Sequence, residues 1–381
     1  MSANVKTIFW SAGENSGDLH ASMVLKALKE RGLYYKHIGI GGHRMQAEGF
    51  SPLFPFKKFS LIGFWEVVQS LPFIWRTEKE IKKILETNKP DLIVLVDYPG
   101  FNLRLAKTAY DLDIPVLYFI CPQFWAWRHS RVNQLKEYVN FLALILPFEK
   151  ELLDIHRVDS EYVGHPIAEE ISIEVSREHF AETFGLDPGK KWLGFMPGSR
   201  DTEIKKILPA FIAAIKRFPS DEYQFLISKS HTVNNELFMS YIPETLSKRA
   251  FVIDGYMYEM IKYSHFMAVT SGTATLETAY IGTPFIIVYK TSQISYSIAR
   301  KLIRIKRIGL PNIILEDDVV PELIQNQVTG ENIKQIMSEY LNDQIAYKKM
   351  TTELLKVQDI LREKKASREV AAIIERMINK E

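Results

Sequence analysis

The chain has 381 residues, with 48 basic and 46 acidic side chains and a formal net charge of +2. This length exceeds one ordinary hydrophobic core and favours two domains. The near-neutral balance excludes the strong positive field of a typical nucleic-acid-binding protein, so we expect no nucleic-acid partner. Apolar residues make up 46% of the chain. No apolar run reaches the roughly 18 residues of a membrane-spanning helix.

The compartment is indicated by the cysteine count and the first residues. Cys121 is the single cysteine of the sequence, which excludes an internal disulfide and favours a reducing compartment. The opening MSANVKTIFW lacks the basic start, long apolar stretch and small cleavage residues of a signal peptide. We therefore predict a cytoplasmic protein, with a peripheral membrane contact left open.

Short apolar runs alternate with helical patterns in two series. The first series predicts strands at 5–10, 37–40, 92–96, 116–120, 142–146 and 161–163, and the second at 192–196, 224–227, 251–253, 266–270 and 285–288. Such alternation favours parallel sheets with helices on both faces. We predict an α/β fold of two Rossmann-like, doubly wound domains facing each other across a cleft, at 1–168 and 169–345. A charge-rich helical tail would follow at 346–381.

The first strand-to-helix turn reads SAGENSGD at 11–18. Its two glycines stand four apart, so the nicotinamide fingerprint G-x-G-x-x-G is not matched. Glycines nevertheless let a backbone approach a ligand closely, which makes four residues candidates for substrate binding: Gly13, Glu14, Ser16 and Gly17. The alternative is a tight turn in which Ser16 or Asp18 caps the next helix.

The stretch 59–75, FSLIGFWEVVQSLPFIW, is apolar on nearly every side and too short to span a bilayer. Basic residues flank it at Lys57, Lys58, Arg76 and Lys79. Aromatic side chains with basic neighbours suit the headgroup boundary of a membrane. The alternative is a helix buried against the core.

Asp97 ends the predicted strand at 92–96. Ligands of doubly wound sheets bind beyond the carboxyl ends of strands, and a carboxylate there can take a proton from an attacking sugar hydroxyl. The alternative is a solvent-facing aspartate that caps a helix starting near Asn102.

The segment 121–131, CPQFWAWRHSR, also follows a predicted strand. Trp125 and Trp127 can stack on sugar rings or lipid, while Arg128, His129 and Arg131 offer donors for a phosphate. Packing of either tryptophan beneath a loop is the alternative. The histidines are scattered and the D-x-D at 111–113 suits a helix-ending turn, so we predict no metal and no cofactor.

Two turns in the second series suit anions. The first is MPGSRDTE at 196–203, with Ser199 and Arg200, and the second is TSGTATLE at 270–277. A strand running into a helix N-terminus places backbone N–H groups where they bind phosphate. We interpret Ser271, Gly272 and Thr273 as a diphosphate cradle. Arg200 would then stabilise a diphosphate leaving group, and Glu277, one turn further, would reach ribose hydroxyls.

A basic amphipathic stretch from 289 to 307 precedes GLPN at 309–312. The cluster of basic residues at 300–307 can be interpreted in two ways, as a solvated basic face or as a contact with anionic lipid.

Taken together, the ordered motifs SAGENSGDLHAS, GIGGHRMQAEG, VDYPGFNLRLAK, CPQFWAWRHSRV, LPFEK, VGHPI, MPGSRDTEI, SGTATLE and LPNIIL resemble the lipid-A-disaccharide synthase family. The resemblance covers about Phe9 to Leu315. It implies a GT-B arrangement and an inverting glycosyltransferase. That enzyme would move 2,3-diacylglucosamine from its UDP ester to 2,3-diacylglucosamine 1-phosphate, giving the β-1,6 lipid A disaccharide and UDP.

The resemblance also implies residue roles. Asp97 matches the family's proposed base, Arg200 its essential arginine, and Asn312 the asparagine of the LPN motif near UDP. The stretch 59–75 matches a membrane-associating region, which implies a peripheral protein on the cytoplasmic face of the inner membrane. The family's tail can cross back to the first domain, which leaves a homodimer open. One departure is Gly100, where some members have aspartate.

Three other functions compete with this reading. UDP-sugar 2-epimerases share the two-domain design but have no need of an apolar patch at 59–75. A non-catalytic membrane protein that binds lipid is the second. A nicotinamide dehydrogenase is the third, and the glycine spacing at 11–18 disfavours it.

Overall fold

The computed structural model describes residues 5–60, 67–122, 124, 131–219, 222–292 and 307–379. The chain forms two compact units. The first unit is Met1–Glu169 together with Arg362–Glu381, and the second is Glu170–Leu361. The last segment of the chain therefore belongs to the same unit as the first.

A parallel sheet forms the centre of the first unit. Its strands are β1 (Thr7–Ser11), β2 (Lys36–Ile40), β3 (Ser51–Pro52), β4 (Leu92–Val96), β5 (Val116–Phe119), β6 (Phe141–Leu144) and β7 (Ser160–Tyr162). They lie in the order β3-β2-β1-β4-β5-β6-β7, with Ile8 of β1 registered between His37 and Leu92. The order reverses between β1 and β4, which is the position where such sheets open a crevice for ligands.

Helices join these strands. They are α1 (Asn15–Glu30), α2 (His43–Ala47), α3 (Lys57–Ser60), α4 (Val67–Asn88), α5 (Pro99–Tyr110), α6 (Arg131–Tyr138), α7 (Phe148–Ile155) and α8 (Ile167–Glu170). Strand β4, with the sequence LIVLV, is buried along its whole length. A parallel strand covered by helices on both faces needs such a continuous apolar run rather than an alternating one.

The second unit repeats this design. Its strands are β8 (Lys191–Met196), β9 (Tyr223–Lys229), β10 (Ala250–Asp254), β11 (Phe266–Thr270), β12 (Phe285–Tyr289) and β13 (Glu322–Ile324), in the order β10-β9-β8-β11-β12-β13. Its helices are α9 (Arg177–Phe184), α10 (Asp201–Ile215), α11 (Asn235–Ser240), α12 (Met257–Tyr263), α13 (Thr273–Ile281), α14 (Leu310–Ile314), α15 (Gly330–Asn342) and α16 (Gln344–Arg362). Short 3-10 turns lie at Glu244–Leu246 and Gln325–Gln327. The reversal of strand order here falls between β8 and β11.

The prediction of two doubly wound parallel sheets is confirmed, and each predicted strand overlaps an observed one. The edge strands β3 and β13 were not predicted. They have two and three residues, respectively, too few to show a hydrophobic period.

The last helix, α17 (Ala366–Asn379), packs into the core of the first unit. Its buried face, which includes Val370 and Ile374, meets apolar side chains of α1 such as Val24 and Leu28. An ion pair between Arg31 and Glu375 lies beside this contact. Because exposed ion pairs contribute little, apolar burial is the main force that holds α17 in place.

We expect Ile374→Ala to lower the free energy of unfolding of the first unit by about 2–5 kcal/mol, the usual cost of a core Ile→Ala change. Ile374 is fully buried, whereas Ile155 at the end of α7 in the same unit is 76% exposed and provides the matched control Ile155→Ala. Urea unfolding followed by tryptophan fluorescence measures both. Equal losses for the two variants would contradict the packing described for α17.

Candidate functional site

The carboxyl ends of β8, β9, β10 and β11 surround a cavity of about 650 Å³ in the second unit. Six of the residues predicted from the sequence line it: Ser199, Arg200, Ser271, Gly272, Thr273 and Glu277. They come from two turns that follow β8 and β11, the strands between which the order reverses. The sheet topology thus brings together side chains that are about 70 residues apart in the sequence.

The turn between β8 and α10 has its own internal anion. The carboxylate of Glu203 accepts hydrogen bonds from the backbone N–H groups of Ser199 at 2.9 Å and Arg200 at 3.3 Å. Gly198 has a φ of +112°, and a Cβ there would lie 2.2 Å from Glu203 Oε2. Only glycine therefore permits this closed turn.

The occupied amides revise the expectation that this turn is an open phosphate site. The guanidinium of Arg200 is still available to a ligand, because its side chain is 80% exposed and lies 3.8 Å from Glu203. It lines the same cavity. Arg200 would therefore contact an anion through its side chain rather than through the backbone of its turn.

The turn between β11 and α13 is arranged differently. Among the described residues, no side chain caps Gly272 at the start of this nine-residue helix. Gly272 and Thr273 are exposed and line the cavity. Thr270 Oγ1 donates to the Met196 carbonyl oxygen at 2.8 Å and so ties the turn to β8. This helix N-terminus, with its favourable dipole, is the better place for a diphosphate.

Glu277 lies one helical turn further along α13 and also lines the cavity. Burial raises the pKa of its carboxyl to about 7, and the nearby negative charge of Glu170 adds to the shift. The group therefore changes charge near neutral pH, unlike an ordinary glutamate.

Sequence reasoning missed the contributions of β9 and β10 to this cavity. Lys229 ends β9 and forms a 3.0 Å ion pair with Asp254 at the end of β10. Both residues line the cavity, as do Ser230 and His231. Their position at the carboxyl ends of two predicted neighbouring strands was the signal that could have identified them.

Asp97 marks the corresponding position in the first unit. It and Tyr98 follow β4 with φ angles of +46° and +51°. Such angles cost non-glycine residues about 1–3 kcal/mol each and are concentrated at functional sites. The Asp97 carbonyl oxygen accepts hydrogen bonds from Asn102 Nδ2 at 2.6 Å and from the Tyr118 hydroxyl at 2.8 Å. These bonds hold the backbone of the strained turn in place.

The alternative of a helix-capping aspartate is wrong. Helix α5 starts at Pro99 rather than near Asn102, its cap residue is Tyr98, and among the described residues no side chain caps it. Burial raises the pKa of Asp97, while a hydrogen bond from the Tyr98 backbone and the proximity of His20 lower it by less. A raised pKa makes a carboxylate a stronger base.

The turn at 11–18 lies beside Asp97. A Cβ on Gly13 would approach Tyr98 Cδ1 to 2.9 Å, so glycine is needed for the two turns to meet. Glu14 and Ser16 are exposed, whereas Gly17 is buried against Ala12.

Neither Ser16 nor Asp18 caps the helix that follows this turn. The cap residue of α1 is Glu14, with no side-chain cap among the described residues. The buried carboxylate of Asp18 instead accepts hydrogen bonds from the N–H groups of Gly42, Arg44 and Met45 at the start of α2. Asp18 therefore fixes the neighbouring loop rather than its own helix.

Comparison with known proteins establishes the family of this chain. The family model for lipid-A-disaccharide synthetase matches residues 8–375. Relatives called lipid-A-disaccharide synthase include one from Geobacter metallireducens, 34% identical with 98% of each chain covered. Another, from Nitrosococcus oceani, is 39% identical with 84% of each chain covered. The chain belongs to this family.

Solved structures confirm the predicted GT-B fold. A UDP-GlcNAc 2-epimerase from Neisseria meningitidis, bound to UDP-GlcNAc, aligns with a TM-score of 0.63 at 13% identity over 98% of this chain and 99% of that one. The calicheamicin glycosyltransferase CalG4 aligns with a TM-score of 0.62 at 12% identity over 99% of each chain. At such identities the likeness concerns the fold alone, which hosts more than one chemistry.

Asn312 does not line the cavity of the second unit, although its motif led us to expect it near UDP. It is 1% exposed, and its Nδ2 donates to the Val320 carbonyl oxygen at 2.8 Å and to Glu322 Oε1 at 2.9 Å. Its Oδ1 accepts from the Val320 N–H at 2.9 Å. These bonds fix α14 against the segment that leads into β13.

The remaining predicted contacts lie partly or wholly outside the described residues. Arg128 lies outside, as do Trp125 and Trp127, 61–66 and 300–306. At the ends of 59–75, Phe59 is buried against Phe101, whereas Trp75 is 63% exposed. Arg307 pairs with Asp318 at 2.6 Å. None of the helices described is long and apolar enough to cross a membrane.

Asn312→Ala should lower stability by about 1–3 kcal/mol, because it leaves buried polar groups of Val320 and Glu322 without their partner. The exposed Asn342 offers the matched control Asn342→Ala. Thermal unfolding with and without UDP measures both variants. If Asn312→Ala weakened UDP binding while the melting temperature stayed that of the parent protein, Asn312 would be a ligand contact and not a structural residue.

Proposed function

We propose that this protein joins two acylated glucosamines into the lipid A disaccharide. It takes 2,3-diacylglucosamine from its UDP ester and transfers it to 2,3-diacylglucosamine 1-phosphate, forming a β-1,6 linkage and releasing UDP. The observation that carries the proposal is the match to the lipid-A-disaccharide synthetase family over residues 8–375. Relatives with that name, at 34–39% identity, favour this function over the epimerase and lipid-binding alternatives.

In this proposal each unit binds one of the two substrates. The second unit, with its 650 Å³ cavity, binds the UDP-sugar. Its helix α13 receives the diphosphate, and Glu277 receives the ribose hydroxyls. The first unit binds the acceptor near Asp97, with Gly13, Glu14, Ser16 and Gly17 in the adjacent turn.

The reaction is a direct displacement. The acceptor's 6-hydroxyl oxygen forms a bond to the donor's anomeric carbon as the bond from that carbon to the diphosphate oxygen breaks. Asp97 takes the hydroxyl proton, which its raised pKa favours. The negative charge that develops on UDP is stabilised by Arg200 and by the N-terminal amides of α13. These groups supply the stabilisation in this scheme, so we expect transfer to continue in a chelator.

The acyl chains of both substrates suggest a membrane surface as the working location. We place the protein peripherally at the cytoplasmic face of the inner membrane, in contact through 59–75 and the basic cluster at 300–307. The 63% exposure of Trp75 at one end of the first segment supports this placement. A homodimer through the tail stays a prediction.

Asp97→Asn and Arg200→Ala should each reduce transfer by a factor of on the order of a hundred or more, since one removes the base and the other a charge on the leaving group. The measurement is a radiolabelled transfer assay with defined acyl substrates in detergent, with and without chelator. Asp111→Asn and Arg217→Ala alter exposed residues of the same types and serve as controls.

Two results would count against the proposal. Transfer at the parental rate by both Asp97→Asn and Arg200→Ala would remove the assigned chemistry. Conversion of water-soluble UDP-N-acetylglucosamine to its C2 epimer, with no acceptor present, would favour the epimerase alternative.

UDP binding should weaken as the pH falls from about 8 to about 6. Ionised Glu277 accepts hydrogen bonds from ribose hydroxyls, and its pKa of about 7 means that it gains a proton over this interval. The Kd should rise towards about tenfold per pH unit below that pKa, the limit for one coupled proton. Glu170→Gln removes a neighbouring negative charge, so it should lower the pKa of Glu277 and move the transition to lower pH.

Calorimetric titration with UDP across this range provides the measurement. Glu277→Gln is the control, because UDP itself gains protons as the pH falls and that background persists in the variant. The same pH dependence in the parent protein and in Glu277→Gln would exclude this role for Glu277.

A further inference from the structure

A second cavity, of about 230 Å³, lies in the first unit directly beside Asp97. It is formed at the carboxyl ends of β4, β5 and β6, next to the position where the strand order reverses. Besides Asp97, the polar groups that line it are Cys121, Arg131 and Glu149. This volume is below the about 300–1,000 Å³ of pockets for drug-sized ligands. It therefore suits a single sugar headgroup rather than a UDP-sugar or an acyl chain.

The cavity contains one cation among its described lining residues. Arg131, the first residue of α6, is partly buried, so its guanidinium acts in a medium of lower dielectric than water. A guanidinium presents a planar fork of donors that matches the oxygens of a phosphate. This combination favours a small anionic ligand.

The other lining groups limit what the cavity can do. Glu149 is 1% exposed and accepts a hydrogen bond from the Leu146 N–H at 3.3 Å, which fixes it at the start of α7. Burial raises the pKa of the Cys121 thiol well above its usual value, and Glu149 adds to the shift. The thiol therefore stays protonated and is a poor nucleophile. Asp97 is left as the group that can act on a ligand.

We infer that this cavity is the subsite for the acceptor headgroup, where Arg131 binds the anomeric phosphate while Asp97 faces the 6-hydroxyl. The inference rests on the proposed function and specifies its acceptor site. A hexopyranose carries the C1 phosphate and the C6 hydroxyl on either side of its ring oxygen. A cavity for one sugar with a base and a guanidinium in its wall can therefore engage both groups at once. Arg131 would make the site selective for a phosphorylated acceptor.

The contact between Arg131 and the phosphate also has an electrostatic role. Asp97 and Glu149 are both acidic, so a phosphate beside them meets repulsion unless a cation intervenes. Arg131 offsets that repulsion and lets the base and the phosphate share one cavity. Lysine would keep the charge but lose the bidentate geometry, so Arg131→Lys should retain part of the selectivity.

The test compares two acceptors, 2,3-diacylglucosamine 1-phosphate and the same sugar without phosphate, in the detergent transfer assay. The parent protein should prefer the phosphorylated acceptor. Arg131→Ala should raise the KM for that acceptor by a factor of on the order of ten to a hundred, as expected for a lost charged hydrogen bond. It should leave the KM for the unphosphorylated acceptor and the Kd for UDP close to parental values. Arg44→Ala, at an exposed arginine of the same unit, is the control.

Several outcomes would overturn the inference. One is an Arg131→Ala variant that keeps the parental preference for phosphate, and another is one that loses activity equally with both acceptors. Loss of the preference in Arg128→Ala instead would assign the phosphate to that residue. These results differ from failure of the proposed function, in which the parent protein itself would transfer to neither acceptor. A parental midpoint of urea unfolding, followed by tryptophan fluorescence, shows that each variant is folded.

Discussion

The reversal of strand order in each parallel sheet is the constraint on which both sites depend. At β1 and β4, and again at β8 and β11, successive connections run to opposite sides of the sheet. Two strands that are neighbours therefore send their following turns apart, and a crevice opens at their carboxyl ends. The candidate site residues Asp97, Arg200 and Ser271 lie in the turns that follow these strands. The buried apolar strands below them fix where these turns begin.

The two crevices share one strand order but differ in the groups that their turns present. The first contains a carboxylate whose turn adopts two left-handed residues, held by Asn102 and Tyr118. The second contains a guanidinium and the open N-terminus of α13. In the second unit Glu203 also occupies the amides of the Arg200 turn, so the two helix N-termini there differ in function. One is closed by its own carboxylate and presents an arginine, and the other is open to an anion.

The sequence was sufficient for the strands, because buried parallel strands carry continuous apolar runs that periodicity detects, as in LIVLV at 92–96. It was also sufficient to find six residues that line the cavity of the second unit, since these follow predicted strands. The sequence could not reveal which groups within the chain form hydrogen bonds or ion pairs with these side chains. Asn312 stood in a motif next to the expected ligand, but its amide is used by Val320 and Glu322. Lys229 and Asp254 were missed because their pairing depends on the adjacency of β9 and β10.

Burial raises the pKa of a carboxyl in both units, with different consequences for each. At Asp97 the shift makes a stronger base, and the proposed reaction needs the ionised form to receive a proton. In the proposed binding of ribose, the ionised form of Glu277 accepts the hydrogen bonds, and the shift reduces the population of that form. Glu170, which adds to the second shift, directly follows Glu169, whose carboxylate accepts a hydrogen bond from the Ser367 N–H at the start of α17. Two consecutive glutamates at the unit boundary thus serve different units. The first bonds to the terminal helix of the first unit, and the charge of the second adds to the burial that raises the pKa of Glu277 in the second unit.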